Sequence, residues 1–281
     1  MAPESPESQD SSQPRSHFHY HGCGHAFSAN FTRPFHEQID VQAGTALPPT
    51  GGHGSAHVED FQFRKFITFK RAYTHVSGGY QKSDNSNNTL VTSVIEGFNM
   101  LDILTADRIV ARLYSKHRHG EPEGEMTMHG SHFVNLAISG QKVRVDLDFP
   151  LFEDIKTYKQ AQTAYDSGKE FKQLAANPLG TNTEPLREQK CNGAFLASLV
   201  KGGLVARDYP GGKSLPANPG DKLPGHCIYI PGFGKVFLAE VFFSHGTRTL
   251  TMLRFELGSS LAGDGSAASA TSNGKNYPPV G

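Results

Sequence analysis

The segment TLVTSVIEGFNMLDILTADRIVARLY, residues 89–114, decides the fold class of this chain. It is rich in β-branched and aliphatic residues, and these alternate with polar residues on both sides of a break at residues 99–102. Successive side chains of a strand point to opposite faces, so the alternation predicts two strands. We expect Ile103, Ile109 and Leu113 on one face, which is apolar, and Arg108 and Arg112 on the other face, which is basic. A helix over residues 105–114 is the competing interpretation, but the apolar positions there form no continuous stripe.

Further strands are predicted on both sides of this segment by the same two-residue period. They cover residues 17–31, 36–41, 55–62, 65–76, 131–149, 194–200, 235–243 and 247–257. Within the last of these, Leu250 and Met252 are expected on one face and Leu253, Phe255 and Leu257 on the other. So many short strands predict a mainly β fold, an antiparallel β-sandwich.

The composition favours one β-rich domain, residues 16–257, between flexible ends. Residues 1–15 are Ser, Pro, Glu and Gln with hardly an apolar side chain, and residues 258–281 are mostly Gly, Ser, Ala and Asn, so both are expected to be disordered. Apolar residues three and four positions apart predict a helical insertion at residues 153–176. A capping-box pattern at residues 167–170 suggests that a second helix begins there.

Charge and targeting signals exclude several classes of protein. Lys+Arg and Asp+Glu are both 27, so the net charge is zero and nothing directs the chain to nucleic acid. Low net charge leaves self-association open, so the expected partner is a second copy or another protein. No secretory signal and no membrane-spanning run is visible, which predicts a cytoplasmic protein or one exported without such a signal. Three cysteines, Cys23, Cys191 and Cys227, do not make a disulfide framework.

One histidine-rich stretch is the strongest candidate for chemistry. In a regular strand, every second residue of HFHYHGCGH shares one face, and that face carries His17, His19, His21, Cys23 and His25. Same-face neighbours lie about 7 Å apart, close enough for two imidazoles to converge on zinc or copper. The alternative interpretation is a solvated strand face without an ion, and no acidic residue nearby in sequence would orient the ligands.

The other polar groups favour structural roles. His117 and His119 lie in a charged segment, and His129 and His132 flank the start of a strand. Glu96, Asp102 and Asp107 could serve as acid–base groups or calcium ligands, but a turn cap and cross-strand ion pairs explain them as well. There is no Gly-x-Ser-x-Gly motif, and Cys227 directly follows His226, which points the two side chains apart on a strand.

Two segments resemble the choice-of-anchor P domains of bacteria. Residues 89–112 resemble the signature of those domains that runs through Val-x-Gly-Leu and Ile-Thr-Ala-Asp, and residues 230–257 resemble their closing pair of strands. The resemblance implies a β-rich domain of secreted or surface-attached bacterial proteins, and it supplies no catalytic residues. The helical segment between the two matches is not part of that pattern, and neither a signal peptide nor a C-terminal anchor is visible here.

These observations predict a non-catalytic structural or binding protein that self-associates through strand edges. The alternative function is a metal-binding protein or metalloenzyme built on the five residues of the histidine-rich stretch. A carbohydrate-binding sandwich is also compatible with the fold, although Trp is absent and Tyr or Phe would have to provide the stacking platform.

Overall fold

Two antiparallel sheets, packed face to face, make up the protein in the computed structural model, which describes residues 18–167, 175–176, 194–201, 226–258 and 260–273. The mainly β, sandwich-like prediction is therefore confirmed. In chain order the elements are β1 Gly22–Arg33, β2 Glu37–Gln42, β3 Thr45–Ala46, β4 Gly52–Phe63, β5 Ile67–Gln81, β6 Ser86–Met100, β7 Leu104–Arg118, β8 Glu125–Thr127, β9 His132–Val134, β10 Ala137–Ile138, β11 Gln141–Lys142, α1 Phe149–Glu153, α2 Tyr158–Ser167, β12 Ala175–Ala176, β13 Phe195–Ser198, β14 Cys227–Ile230, β15 Gly234–Phe243, β16 Thr247–Gly258 and β17 Ala262–Asn273.

The first sheet, called sheet A, has nine strands in the order β12-β13-β15-β16-β17-β1-β2, with β14 paired to β15 and β3 to β1. The second, sheet B, has eight strands in the order β11-β10-β7-β6-β5-β4, with β8 and β9 paired to β7. Strands β16, β17 and β1 pack against β7, β6 and β5. Because β1 pairs with β17, the first and last strands of the described residues lie side by side in the middle of sheet A.

The prediction of a flexible tail at residues 258–281 is wrong for Ala262–Asn273, which form the twelve-residue strand β17. The segment has few large apolar side chains because its neighbours supply them. A Cβ atom on Gly265 would lie 2.4 Å from Cζ of Phe255, so only a small residue leaves room for that ring. Ala267, Ala268 and Ala270 are fully buried in the same strand. Residues 1–15 lie outside the described part of the chain.

Helix α2 lies within the insertion predicted at residues 153–176, whereas α1 precedes it and overlaps it only at Glu153. Helix α2 begins after a capping box: the Thr157 hydroxyl accepts from the Gln160 N–H at 3.2 Å, and the Gln160 side chain accepts from the Thr157 N–H at 3.0 Å. The expected helix at residues 153–176 does not reach its predicted end, because Ala175–Ala176 form strand β12. The second helix expected from Ser167 falls on residues 168–174, outside the described residues.

A line of residues that interrupts the regular pleat crosses each sheet; we call each line a crease. In sheet B the register aligns Asp60, Lys70, Gly97 and Asp107 on four neighbouring strands, and Asn135 continues the line directly after β9. Every second member has a left-handed backbone, with φ of 50° at Asp60, 64° at Gly97 and 49° at Asn135. At the crease, one residue of each strand does not follow the alternation of side chains between the two faces of the sheet. The set of residues that face the core therefore shifts by one position there.

Sheet A has an equivalent crease. Its register aligns Ala26, Ala268, Met252 and Ala239 on β1, β17, β16 and β15. Here too every second residue is left-handed, with φ of 53° at Ala268 and 50° at Ala239. None of the strands gains or loses a residue relative to its neighbour at these positions, so the pairing continues across the crease.

The creases correct the face assignments made from the sequence. In β7, Ile109 and Leu113 are fully buried and Arg108 and Arg112 are exposed as predicted, but Leu104 and Ala106 are buried in place of Ile103. In β16 the two predicted faces are both buried: Leu250 lies before the crease and Leu253 and Phe255 lie after it. A strict period of two fails in both strands because the crease shifts the parity by one residue.

The creases also divide the core into two parts. On one side lie aromatic rings from both sheets, where Phe27 contacts Phe69, Phe98 and Phe255 at ring-centroid distances of 6.0–6.2 Å. On the other side the sheets approach each other over small residues: a Cβ atom on Gly24 would lie 2.9 Å from Cγ1 of Val91. Buried hydroxyls in this second part bond one another across the sheets, as Ser115 and Ser272 do at 2.7 Å.

Candidate functional site

The structure describes four members of the histidine-rich stretch, and strand β1 begins only at Gly22. His19 and His21 precede the strand and are exposed. Gly22 and Gly24 face sheet B, where added Cβ atoms would meet Thr89 and Val91, so Cys23 and His25 share the outer face of sheet A. His17 lies outside the described residues. The predicted common face is thus confirmed for Cys23 and His25.

The side chains of Cys23 and His25 already have polar partners on β17. His25 Nε2 and the Ser266 hydroxyl lie 3.0 Å apart, and burial lowers the pKa of His25. Burial raises the pKa of the Cys23 thiol, although a hydrogen bond with Thr271 acts in the opposite direction. Among the described residues no three His, Cys, Asp or Glu side chains are grouped closely enough to hold a metal ion. A zinc or copper site that includes His17 stays a prediction.

The remaining predicted polar groups lie apart from one another. His129 is 3.4 Å from Glu153, and His132 Nδ1 is 2.8 Å from the Gly130 carbonyl. His117 is buried with its ring 5.0 Å from that of Phe18, whereas His119 follows the end of β7. They form no common site.

The three carboxylates predicted within residues 89–114, Glu96, Asp102 and Asp107, have structural partners. Glu96 is ion-paired with Arg108 across β6 and β7. Asp102 closes a turn, because its Oδ1 accepts from Asn99 Nδ2 at 2.6 Å. Asp107 accepts from Asn135 Nδ2 at 2.6 Å, so its partner is an amide and not the basic side chain of a cross-strand ion pair.

A buried charge network on sheet A was missed in the sequence. Glu240 accepts from Arg254 Nε at 2.6 Å and Nη2 at 2.9 Å, and its Oε1 lies 3.1 Å from His226 Nε2. Arg254 also donates to Glu256 at 2.6 Å, and its guanidinium carbon is 3.7 Å from the Phe237 ring centroid. The available signal was a single glutamate within the apolar run VFLAEVFF.

The electrostatics of this network keep its carboxylate charged. Burial alone would raise the pKa of Glu240, but hydrogen bonds from Arg254 and His226 outweigh burial and leave the pKa below its ordinary value. Burial raises the pKa of the neighbouring Cys227 thiol to about 12. The thiolate is the nucleophilic form of cysteine, so Cys227 is a protonated and unreactive thiol at neutral pH. The network therefore ties β14, β15 and β16 together and does not activate the thiol.

A second buried cation lies at the other end of β16. Arg248 is only 1% exposed, and its Nη1 donates to the Ser244 carbonyl and, at 3.2 Å, to the Thr247 carbonyl. Its Nη2 is 3.6 Å from Glu123 Oε2, which also accepts from the Tyr158 N–H at 2.8 Å at the start of α2. Burial lowers the pKa of Arg248 to about 10, against the opposing effect of Glu123. These contacts connect the start of α2 to the turn between β15 and β16.

The outer edge of β4 is a long sheet edge within the described residues. This twelve-residue strand pairs with β5 on one side, and no described strand pairs with its other side. Its sequence, GHGSAHVEDFQF, contains no Lys, Arg or Pro. Ala56, Val58, Phe61 and Phe63 pack against the core from this strand and are only partly buried. An edge with these properties is a template for adding another strand.

The other described edges of the two sheets are shorter. Sheet B ends on its far side with the two-residue strand β11. Sheet A ends with the six-residue β2 on one side and the two-residue β12 on the other. Very short edge strands discourage edge-to-edge pairing. Strand β4 is therefore the only long edge in the described part of the chain.

The described helices are too short to cross a membrane. Comparison with curated proteins and with solved structures finds no match. A family model described as "Domain of unknown function (DUF8256)" matches residues 18–244, which is most of the chain. That match does not address the resemblance to choice-of-anchor P domains, which stays a prediction. The chain belongs to the DUF8256 family, whose function is unknown.

Proposed function

We propose that this protein is a non-catalytic β-sandwich that assembles with further copies of itself through the outer edge of β4. The observation that carries the proposal is the twelve-residue strand with no described partner on its outer side. Antiparallel pairing of β4 with its equivalent in a second copy would give both copies the same contact, as a twofold axis requires. Each eight-stranded sheet B would then continue into the next.

The physical reasons are an edge open to hydrogen bonding and the absence of Lys, Arg and Pro from β4. The charges of Glu59 and Asp60 and the left-handed backbone of Asp60 protect only the last part of the strand. Backbone N–H and C=O groups along β4 are paired with β5 on one side only, and a second strand would satisfy the other side. The partly buried Ala56, Val58 and Phe61 would lose more of their exposed surface on pairing. A net charge of zero adds no long-range repulsion between copies.

The experiment measures molar mass in solution by light scattering over a wide range of protein concentration. We expect the wild-type mass to rise with concentration to at least a dimer. Val58→Lys places a charge on the partly buried side of the edge strand, which is how natural sheets prevent edge pairing. This variant is expected to weaken association by at least about tenfold.

Val134→Lys is the matched control, because Val134 is an exposed valine on the short strand β9, away from β4. It introduces the same charge and should leave association unchanged. A monomeric wild-type protein at all concentrations, or equal effects of the two variants, would overturn the proposal. Circular dichroism of both variants checks that the sheets are intact.

Metal binding by the histidine-rich stretch is the second proposed function. Its supporting observation is limited to Cys23 and His25 on one strand face. A bound zinc or copper ion would need the exposed His19 and His21 to join them, and metal analysis of the purified protein tests this.

A further inference from the structure

Three exposed histidines lie on the outer face of sheet B beside the β4 edge. Residues 53–59 of β4 alternate between the core and this face, and the partly buried Ala56 faces the core. The exposed His53 and His57 therefore face outward, as does the exposed His75 of β5. Neither His57 nor His75 forms a hydrogen bond or an ion pair with any described residue. Both imidazoles are thus accessible to a ligand.

One chain alone does not bring three of these imidazoles together. His75 pairs with Ser55, which places it diagonally from both His53 and His57, with Cβ atoms about 7–8 Å apart. His53 and His57 are four residues apart on one strand, a separation of about 13 Å. Among the described residues of a single chain, no three potential ligands are grouped closely enough to hold a metal ion. A metal site on this face therefore needs a ligand from another molecule.

Pairing of β4 with a second copy supplies that ligand, and this step rests on the proposed assembly. The regular part of β4 is His53–Glu59, which ends where the crease begins. Antiparallel pairing along this whole segment places the twofold axis at its middle residue, Ala56. His57 then lies opposite Ser55 of the second copy, and His53 lies opposite Glu59 of the second copy. Other registers leave part of the regular segment unpaired.

In this register the two copies of His57 meet beside the axis. They are diagonal neighbours, with Cβ atoms about 7–8 Å apart. His75 of one copy and His57 of the other lie on either side of the same Ser55, two strand spacings or about 10 Å apart. An imidazole and its bond to zinc together extend about 6 Å from the Cβ atom, so all three rings can reach one ion. The small side chain of Ser55 leaves the space between them open.

We propose that a zinc ion binds at this interface, held by His57 of both copies and His75 of one copy. Zinc prefers tetrahedral coordination, so a water molecule would occupy the fourth position. Either copy can supply His75, but both arrangements use the same two His57 side chains, so one ion binds per dimer. Glu59 is 3.4 Å from Arg71 in an ion pair and lies away from the axis, which leaves the imidazoles as the ligands.

The experiment measures the molar mass of the full chain by light scattering, in EDTA and in about 50 µM zinc chloride. We expect zinc to lower the dissociation constant of the dimer by about tenfold, because an ion that binds only the dimer stabilises it. Magnesium chloride at the same concentration should have no effect, because Mg²⁺ prefers oxygen ligands.

Two histidine variants of β4 form a matched pair. His57→Gln should abolish the zinc response and leave association in EDTA within about twofold of the wild type, as is usual for an exposed substitution. His53→Gln changes another exposed histidine on the same face of the same strand, away from the axis, and should keep the response. The histidine-rich stretch near β1 is unchanged in both variants, so zinc bound there cannot account for a difference between them.

The outcomes separate the zinc site from the assembly itself. Wild-type protein that dimerises equally in EDTA and in zinc would reject the zinc site and leave assembly through β4 standing. Wild-type protein that stays monomeric in both would reject the two proposals together. A zinc response that survives His57→Gln, or that is lost equally in His53→Gln, would show that the ion binds elsewhere and would overturn the assigned site.

Discussion

Replacing Gly97 by alanine tests the crease of sheet B, because Gly97 is the crease glycine in β6 and has a left-handed φ of 64°. A left-handed conformation destabilises a residue with a Cβ atom by roughly 1–2 kcal/mol. Alanine recovers about 0.5–1 kcal/mol of this because its unfolded chain is less flexible than that of glycine. The new Cβ would lie 2.8 Å from Cγ of Lys70, an exposed and flexible side chain that can move aside. The expected net loss is about 0.5–1 kcal/mol.

Gly79→Ala is the matched control in the neighbouring strand of the same sheet. Gly79 has open space around it and an ordinary φ, so only the unfolded-state term applies and the variant should be more stable by about 0.4–1 kcal/mol. The two substitutions are chemically identical but are expected to have opposite signs. Urea denaturation of both variants, with unchanged slopes, measures the difference of about 1–2 kcal/mol between them. Equal effects of the two variants would refute the left-handed geometry and with it the crease.

Three further predictions concern ionisable side chains. The lowered pKa of Glu240 contributes stability that is present above the ordinary pKa of 4.5 and is lost as pH falls through the folded value, so Glu240→Gln should flatten the acid side of the stability–pH profile. Glu123→Gln should destabilise the protein by about 3 kcal/mol in urea denaturation because it leaves the buried Arg248 without its nearby carboxylate, and the double variant Glu123→Gln, Arg248→Met, which removes both charges, should lose less stability. If the histidine-rich stretch binds zinc or copper, protein purified without a histidine-affinity step should carry stoichiometric metal by mass spectrometry, and the double variant His19→Ala, His21→Ala should lose it; metal-free wild-type protein would contradict this.

The fold class was predictable because strand periodicity is local. Residues 89–114 fold as the hairpin of β6 and β7, and the separate strands predicted at residues 235–243 and 247–257 correspond to β15 and β16. Residues 89–114 and 247–257 alternate apolar and polar residues over many positions, which a helix would not accommodate, and residues 236–243 are an apolar run with many β-branched and aromatic residues. The break at residues 99–102 was also a reliable signal, because Leu101 and Asp102 have left-handed backbones that form a tight turn.

Face assignment was not predictable, because the creases depend on neighbouring strands. Asp60, Gly97 and Asn135 are turn-forming residues that tolerate a left-handed φ, but they lie far apart in sequence and only the sheet aligns them. In sheet A the same role falls to Ala239 and Ala268, and nothing about an alanine marks a left-handed position. The backbone energy there is offset by interactions made elsewhere in the sheet.

Sequence reasoning was limited in the same way for the candidate functional residues. The histidine-rich stretch was conspicuous in composition, yet only Cys23 and His25 share a described strand face. The charge network of Glu240 and Arg254 joins residues from neighbouring strands, and sequence reasoning saw only an isolated glutamate.

The position of the crease in β4 limits where a second strand can pair. Strand β4 follows a regular pleat from His53 to Glu59 and is interrupted at Asp60, so an added strand could pair without distortion only along the part before the crease. In the core beneath, small residues such as Gly22 and Gly24 replace the aromatic cluster and let the sheets approach. The regular part of the β4 edge thus belongs to the half of the sandwich in which small residues fill the core, and the phenylalanine cluster lies on the other side of the crease.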